Sequence, residues 1–192
     1  MSADTPSDAA GSVRLRATRR AYDGRLLRVD VDSVVAPDGT AFDLEMVRHP
    51  GAAAVVPLLS ARDAEDPTIL MLRQYRYAAA GQIWEVPAGV LEPNESPLEC
   101  AHRELLEETG ATAASMEYLT TIFTTPGFTD ERIHLFLATE LTVGEPNHER
   151  DELIEVTAQR MSRVLQMIRD GEVVDGKTLA AILYVAGFRL GL

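Results

Sequence analysis

Apolar and polar positions alternate through "LLRVDVDSVV" and again through "FDLEMV", with the turn signal "PDG" (37–39) between them. Alternation of period two on both sides of a turn predicts antiparallel strands. The stretch from Val13 to about Val47 therefore reads as a small antiparallel sheet, marginal alone and in need of a surface to pack on. The pattern then changes. "GAAAVVPLL" (51–59) and "TILMLRQYR" (68–76) are almost continuously apolar, as expected of strands buried on both faces. The polar, acidic loop "SARDAEDP" joins them, and "QIWEVPAGVL" (82–91) predicts a strand running into a loop. "SPLECAHRELLEETG" (96–110) predicts a helix. Ser96 serves as N-cap, Pro97 takes the first helical position, and Glu99 completes a Ser-x-x-Glu capping box. Leu98, Ala101, Leu105 and Leu106 supply its apolar positions, and Gly110 ends it. "MEYLTTIFTT" and "RIHLFLATEL" predict two more strands around "PGFTDE" (126–131). An acidic loop, "GEPNHERDE" (144–152), precedes two amphipathic helices, "AQRMSRVLQMIRDG" (158–171) and "KTLAAILYVAGFRL" (177–190). Strands, helix, strands, helices is the order of an α/β sandwich.

Composition narrows the function classes. The 192 residues suit one domain with a small appendage. A net charge of −12, from 18 basic and 30 acidic residues, argues against nucleic-acid or anionic-membrane partners. It leaves room for an anionic small substrate, because bound divalent cations invert the local field. With Cys100 as the one cysteine, no intrachain disulfide can form, which suits a reducing, cytoplasmic compartment. No apolar run approaches the roughly 20 residues that span a bilayer. The start, "MSADTPSDAAGS", is polar and acidic, unlike a secretory signal, and residues 1–12 are expected to be a disordered tail.

In so acidic a chain the crowding of "RELLEETG" (103–110) is the feature that asks for a reason. Residues four apart share a helix face, so Glu104 and Glu108 pair on one side with Glu107 next to them. Arg103 stands four before Glu107 and can neutralise it. Carboxylates grouped on one turn suit a hard cation such as Mg²⁺, which takes a few carboxylates together with substrate phosphate oxygens. A solvated acidic face is the plainer alternative for an isolated "EE".

The surroundings decide between them. "GVLEPNESPLECAHRELLEETGA" (89–111) fits the pattern G-x5-E-x7-R-E-U-x-E-E-x-G-U, with Gly89, Glu95, Arg103, Glu104, Leu105, Glu107, Glu108 and Gly110 in place and Ala111 as a small apolar residue at the last position. This is the Nudix box, and the chain resembles a Nudix hydrolase. The resemblance implies a Nudix fold, an α/β/α sandwich with a mixed sheet, and hydrolysis of a nucleoside diphosphate linked to another moiety. It implies Glu104 and Glu108 as metal ligands with the Ala88 carbonyl as a further one, Glu107 as a catalytic residue close to the metal, and Mg²⁺ as cofactor with Mn²⁺ able to substitute.

The flanks refine the resemblance. "PGFTDE", with Pro126 sixteen positions after Gly110, "RQYR" (73–76), "WEVPAG" (84–89) and "VRHPGAAAVVPL" (47–58) are similar to the ADP-ribose pyrophosphatase subfamily. That subfamily is dimeric, its small N-terminal sheet reaching to the partner. The implied layout is a tail (1–12), a dimerising antiparallel sheet (13–48) and a hydrolase domain (49–192). Arg76 matches a phosphate-contacting position, and an arginine fork suits that role; Arg73 is a second candidate. Glu85 either contacts ribose or metal-bound water or is purely structural. Arg28 and Arg48 could reach a partner's nucleotide, and Pro126 and Phe128 belong to the substrate-binding stretch. The water-activating base is expected in the acidic loop, which for this role extends over "GEPNHERDELIEV" (144–156), at Glu152 or Glu149. The expected reaction is conversion of ADP-ribose to AMP and ribose 5-phosphate. The alternatives are hydrolysis of another nucleoside diphosphate sugar such as GDP-mannose or of a damaged nucleotide, and a non-catalytic ADP-ribose sensor.

Overall fold

The computed structural model describes residues 12–25, 27–144 and 154–192. Its contacts fall into two compact units, one built from residues up to His49 together with Thr125–Glu131, the other from Pro50–Thr124 and Arg132–Leu192.

The first unit is an antiparallel sheet of β1 (Arg14–Asp23), β2 (Arg28–Val35) and β3 (Ala41–Arg48), in that spatial order. Alternation in β2 sends Asp30, Asp32 and Val34 inward, so two of three buried positions carry carboxylates. A buried charge must be paired. Arg20 Nε meets Asp30 Oδ1 at 2.5 Å, Arg48 Nε meets Asp30 Oδ2 at 3.1 Å, and Arg48 Nη2 reaches Asp32. Arg48 Nη1 also holds Asp130 (3.2 Å), tying the 125–131 segment to β3, and the Val47 N–H donates to the Phe128 carbonyl (2.7 Å). Hydrogen bonds from Arg20 first, then Arg48, keep the Asp30 carboxyl below its ordinary pKa.

The second unit holds two sheets. One has the order β10-β5-β6, from Ile154–Arg160, Thr68–Arg76 and Gly81–Glu85, all antiparallel. The other has the order β7-β4-β9-β8, from Ala88–Val90, Ala52–Pro57, Arg132–Val143 and Ala111–Phe123, and is mixed because β4 and β9 run parallel. The helices are α1 (Pro97–Thr109), α2 (Met161–Arg169) and α3 (Gly176–Val185).

Strand β4 shows why helices cover both faces. Ala52, Ala54 and Val56 pack with Met161 and Val164 of α2 and Ala181, Ile182 and Val185 of α3. Ala53 and Val55 point the other way, into a second cluster with Cys100, Ala101 and Leu105 of α1. The alternating side chains of one strand thus feed two cores. The result is the α/β/α sandwich with a mixed sheet.

Three expectations need correction. Residues 158–160 are strand, not helix: Ala158, Gln159 and Arg160 pair with Leu70, Ile69 and Thr68, so ladder hydrogen bonds outweigh the helical pattern and α2 starts at Met161. The same strand takes Ile154–Val156 out of the expected acidic loop. The last helix ends at Val185 and widens into a π-turn over Ala186–Leu190, closed by Gly191 at φ 71°.

Candidate active site

Helix α1 forms as its caps dictate. The Glu99 N–H donates to Ser96 Oγ (3.3 Å), the Ser96 N–H returns to Glu99 Oε2 (2.8 Å), and Gly110 closes the C-terminus at φ 70°. Which residues it buries differs from the simple apolar reading. Leu98 and Leu106 are exposed, while the buried residues are Cys100, Ala101, Glu104, Leu105, Glu108 and Thr109. Adjacent rows at i, i+4 and i+8 face the sheet, and one of them runs Cys100, Glu104, Glu108. The paired glutamates therefore lie on the inner side of the helix, whereas Glu107 is 45% exposed along its side chain.

Arg103 compensates this acidic row. Its Nε and Nη2 bind Glu95 bidentately (2.8 and 2.9 Å), and its Nη1 reaches Glu104 (2.5 Å) and Glu107 (3.2 Å). Its Nη2 also donates to the Val90 carbonyl (3.1 Å). The expected i, i+4 pair with Glu107 is present, but the principal partner is Glu95, which helical spacing does not reveal because it precedes the helix. Arg103 hydrogen bonding, opposed by burial and helped by the Glu92 N–H, lowers the Glu95 pKa to about 2. Burial first, then the Glu104 and Glu95 charges, push the Cys100 thiol up to about 12, so it is a packing group and not a nucleophile.

Under α1 runs the segment containing β7. The Ala88 N–H donates to Glu108 Oε2 (2.8 Å). Gly89 lies so close to Glu104 that a Cβ on it would overlap the whole carboxylate. Glycine is needed here for space, since Gly89 is not among the residues of positive φ. The backbone and the carboxylates of Glu104 and Glu108 thus share one small volume beside the Ala88 residue.

Glu85, at the end of β6, is 3% exposed and gripped by two cations. Arg76 Nε binds its Oε2 at 2.8 Å and Lys177 Nζ its Oε1 at 2.5 Å. Arg73 lies over the Trp84 ring, 5.7 Å from its centroid. Lys177 is the participant that sequence reasoning missed; its signal was a lysine in the first turn of a helix, where the macrodipole disfavours cations. In the other unit, Arg28 is exposed near Asp23 (3.4 Å), Arg48 is engaged by three aspartates, and Phe128 is exposed in the turn that follows Pro126. Glu149 and Glu152 lie outside the described residues.

The chain is similar to several known proteins. A family model described as NUDIX domain matches residues 48–181. An ADP-ribose pyrophosphatase of Bacillus subtilis is 39% identical over 171 residues, 88% of this chain and 90% of that protein. A methanol dehydrogenase activator of Bacillus methanolicus is 38% identical over 170 residues, 88% and 89% of the two chains. A GDP-mannose pyrophosphatase of Escherichia coli is 33% identical, over 77% of this chain and 83% of that protein. Among solved structures, an ADP compounds hydrolase superposes with a TM-score of 0.80 at 18% identity, covering 96% of this chain and 98% of that one, a likeness of fold.

Two outcomes follow from the geometry. Gly89→Ala should fold, because the obstructing atoms end a flexible side chain, but it should move the Glu104 carboxylate; with Glu104 as a metal ligand, Mn²⁺ binding would weaken about tenfold or more, an energy of roughly 1.4 kcal/mol or above. Isothermal titration with Mn²⁺ checks this, and an unchanged affinity would contradict a metal role for Glu104. The Glu95–Arg103 pair predicts a pH dependence. A carboxylate whose folded pKa lies near 2 against an ordinary 4.5 adds stability that is complete above 4.5 and is lost as pH falls toward 2. The stability difference between wild type and Glu95→Gln, measured by urea unfolding, should be constant at neutral pH and shrink through that window.

Proposed function

The chain belongs to the NUDIX domain family, and on that premise we propose that it hydrolyses ADP-ribose to AMP and ribose 5-phosphate with Mg²⁺, for which Mn²⁺ would substitute. The observation that carries this reading is the buried pair Glu104 and Glu108 against the 88–89 backbone, in a chain 39% identical to an ADP-ribose pyrophosphatase. Family members generally need a divalent metal. The residues fit one. Two buried carboxylates supply hard oxygen donors, and the missing Cβ of Gly89 gives the Glu104 carboxylate its place. Among the described residues no three acidic, histidine or cysteine side chains form a ready-made cage. Mg²⁺ needs none, since it completes its shell with water and substrate phosphate.

Glu104, Glu108 and the Ala88 carbonyl would hold the cation, which when bound neutralises charge on the diphosphate and lowers the pKa of water. The chain's own residues do the rest. Arg103 holds Glu104 in place and offsets repulsion along the helix. Glu107, exposed at the edge of the platform, would face solvent and incoming substrate. Arg76 would clamp the diphosphate, with Arg73 and Glu85 beside it. A carboxylate from the acidic loop, Glu152 or Glu149, would take the proton of the attacking water. The water oxygen bonds to one phosphorus as the bridging P–O bond breaks, and the products are the two monophosphates.

Other parts of the reading extend to assembly and setting. The expected tail (1–12) falls outside the described residues but for residue 12; the rest of the reading is a small sheet (13–48), to which 125–131 adds its contacts, and a hydrolase domain (49–192), and the protein would act as a homodimer in the cytoplasm. The exposed Leu15 and Tyr22 of the first sheet, with Val13 just before it, support a partner surface, and there Arg28, Arg48, Pro126 and Phe128 would serve nucleotide binding. The single buried thiol suits a reducing compartment. No described helix is long and apolar enough to cross a membrane. A second reading, GDP-mannose as substrate, is favoured by the 33% identity to GDP-mannose pyrophosphatases.

Product analysis with Mg²⁺ tests both: AMP released from ADP-ribose faster than GMP from GDP-mannose supports the first, and the reverse supports the second. Glu108→Gln should lower kcat by at least the ~10–100-fold that even outer-shell partners of a catalytic metal cost. Unchanged turnover would overturn the metal-site assignment.

A further inference from the structure

Lys177 occupies a costly position. It is the second residue of α3, where the helix macrodipole opposes a cation, and its side chain is only 14% exposed. Burying an ammonium is expensive unless it is paired, and an apolar residue often packs such a site as well or better. Two carboxylates compensate: Glu85 Oε1 at 2.5 Å and Asp175 Oδ2 at 2.9 Å. Asp175 also N-caps the helix, accepting the Thr178 N–H at 3.0 Å. Thr178, fully buried, accepts the Val86 N–H through Oγ1 at 3.0 Å. Consecutive residues of α3 therefore grip consecutive residues at the end of β6, and the position of Lys177 is fixed to that of Glu85.

The consequence appears on the other oxygen of Glu85. With Oε1 taken by Lys177, only Oε2 is left for Arg76, which binds it through Nε at 2.8 Å. Neither terminal nitrogen of Arg76 has a protein partner among the described residues, and its side chain is 43% exposed. A guanidinium anchored at Nε alone keeps both terminal NH₂ groups for a second anion, the fork that suits a phosphate. Without Lys177, both oxygens of Glu85 would compete for that fork and fold it back onto the protein.

We propose that Lys177 is a positioning residue for the diphosphate: by occupying one oxygen of Glu85 it holds Arg76 in a single-point grip and leaves the outer guanidinium nitrogens for substrate. The inference rests on the reading of Arg76 as the phosphate clamp.

A double-mutant cycle tests it, with Lys177→Met and Arg76→Ala singly and together, by steady-state kinetics on ADP-ribose or on GDP-mannose if wild type prefers it. Lys177→Met should raise KM about tenfold with a smaller change in kcat, and it should add little once Arg76 is gone. A side chain that merely stabilised α3 would act independently of Arg76. An unchanged KM, or a Lys177→Met effect that persists in full on Arg76→Ala, would overturn the proposal. Should Lys177→Met fail to fold by thermal melting, the Glu85→Gln, Lys177→Met pair removes the orphaned carboxylate too. It should raise KM at least as much, again without adding to Arg76→Ala, and additivity there would count equally against the proposal. If wild type turned over neither sugar nucleotide, the function reading would fall, and the same cycle would be read from the affinity for ADP, where coupling supports the proposal and additivity overturns it.

Discussion

The segment from Glu85 to Val90 is held at every residue, and from more than one side. Glu85 is clamped by Arg76 and Lys177, and the Val86 N–H donates to Thr178. The Pro87 carbonyl accepts the Val55 N–H (2.9 Å), and the Ala88 N–H donates to Glu108. Gly89 lies against Glu104, and the Val90 carbonyl accepts from Arg103. Elements from both faces of the sandwich converge on these six residues: α1 from one side, α3 from the other, β4 between. A mixed sheet with helices on both faces is what makes such a double grip possible. The fold therefore prepares a short piece of backbone against which carboxylates and cations are set.

Electrostatics explains why this arrangement tolerates its own composition. A chain of net charge −12 buries Glu85, Glu104 and Glu108 within one unit. Each has a specific answer: Lys177 and Arg76 for Glu85, Arg103 for Glu104, and a backbone N–H for Glu108. Arg103 alone touches three carboxylates, and those interactions, led by Glu95, hold its proton above the ordinary guanidinium range. The acidic helix is therefore a compensated surface with room for further positive charge, as a cation-dependent enzyme requires.

Much of this was legible in the chain. The capping box, the proline at the first helical position and the closing glycine fix α1 to within a residue, because those signals are local. The continuous apolar run of β4 announced a strand covered on both sides. What was not legible depends on distance in sequence. Glu95 binds Arg103 across a loop, so the i, i+4 rule pointed to Glu107 first. Leu98 and Leu106 look like core residues by type, yet helix rotation is set by the row that includes Glu104 and Glu108. Residues 158–160 have a helical pattern, but a strand edge 90 residues earlier claims them. Lys177 and Glu85 are 92 residues apart, and only a broken local rule, a cation in a first turn, marked the lysine.

In the proposed function, the backbone gripped between α1 and α3 would set a carboxylate pair for a cation and an arginine for a diphosphate. A crystal structure with Mn²⁺ and a non-hydrolysable ADP-ribose analogue, read at the manganese anomalous edge, tests it most directly. Metal density is expected on the Glu104 and Glu108 carboxylates, with the diphosphate at the outer nitrogens of Arg76. Manganese bound away from that pair, or a diphosphate that leaves Arg76 untouched, would contradict it.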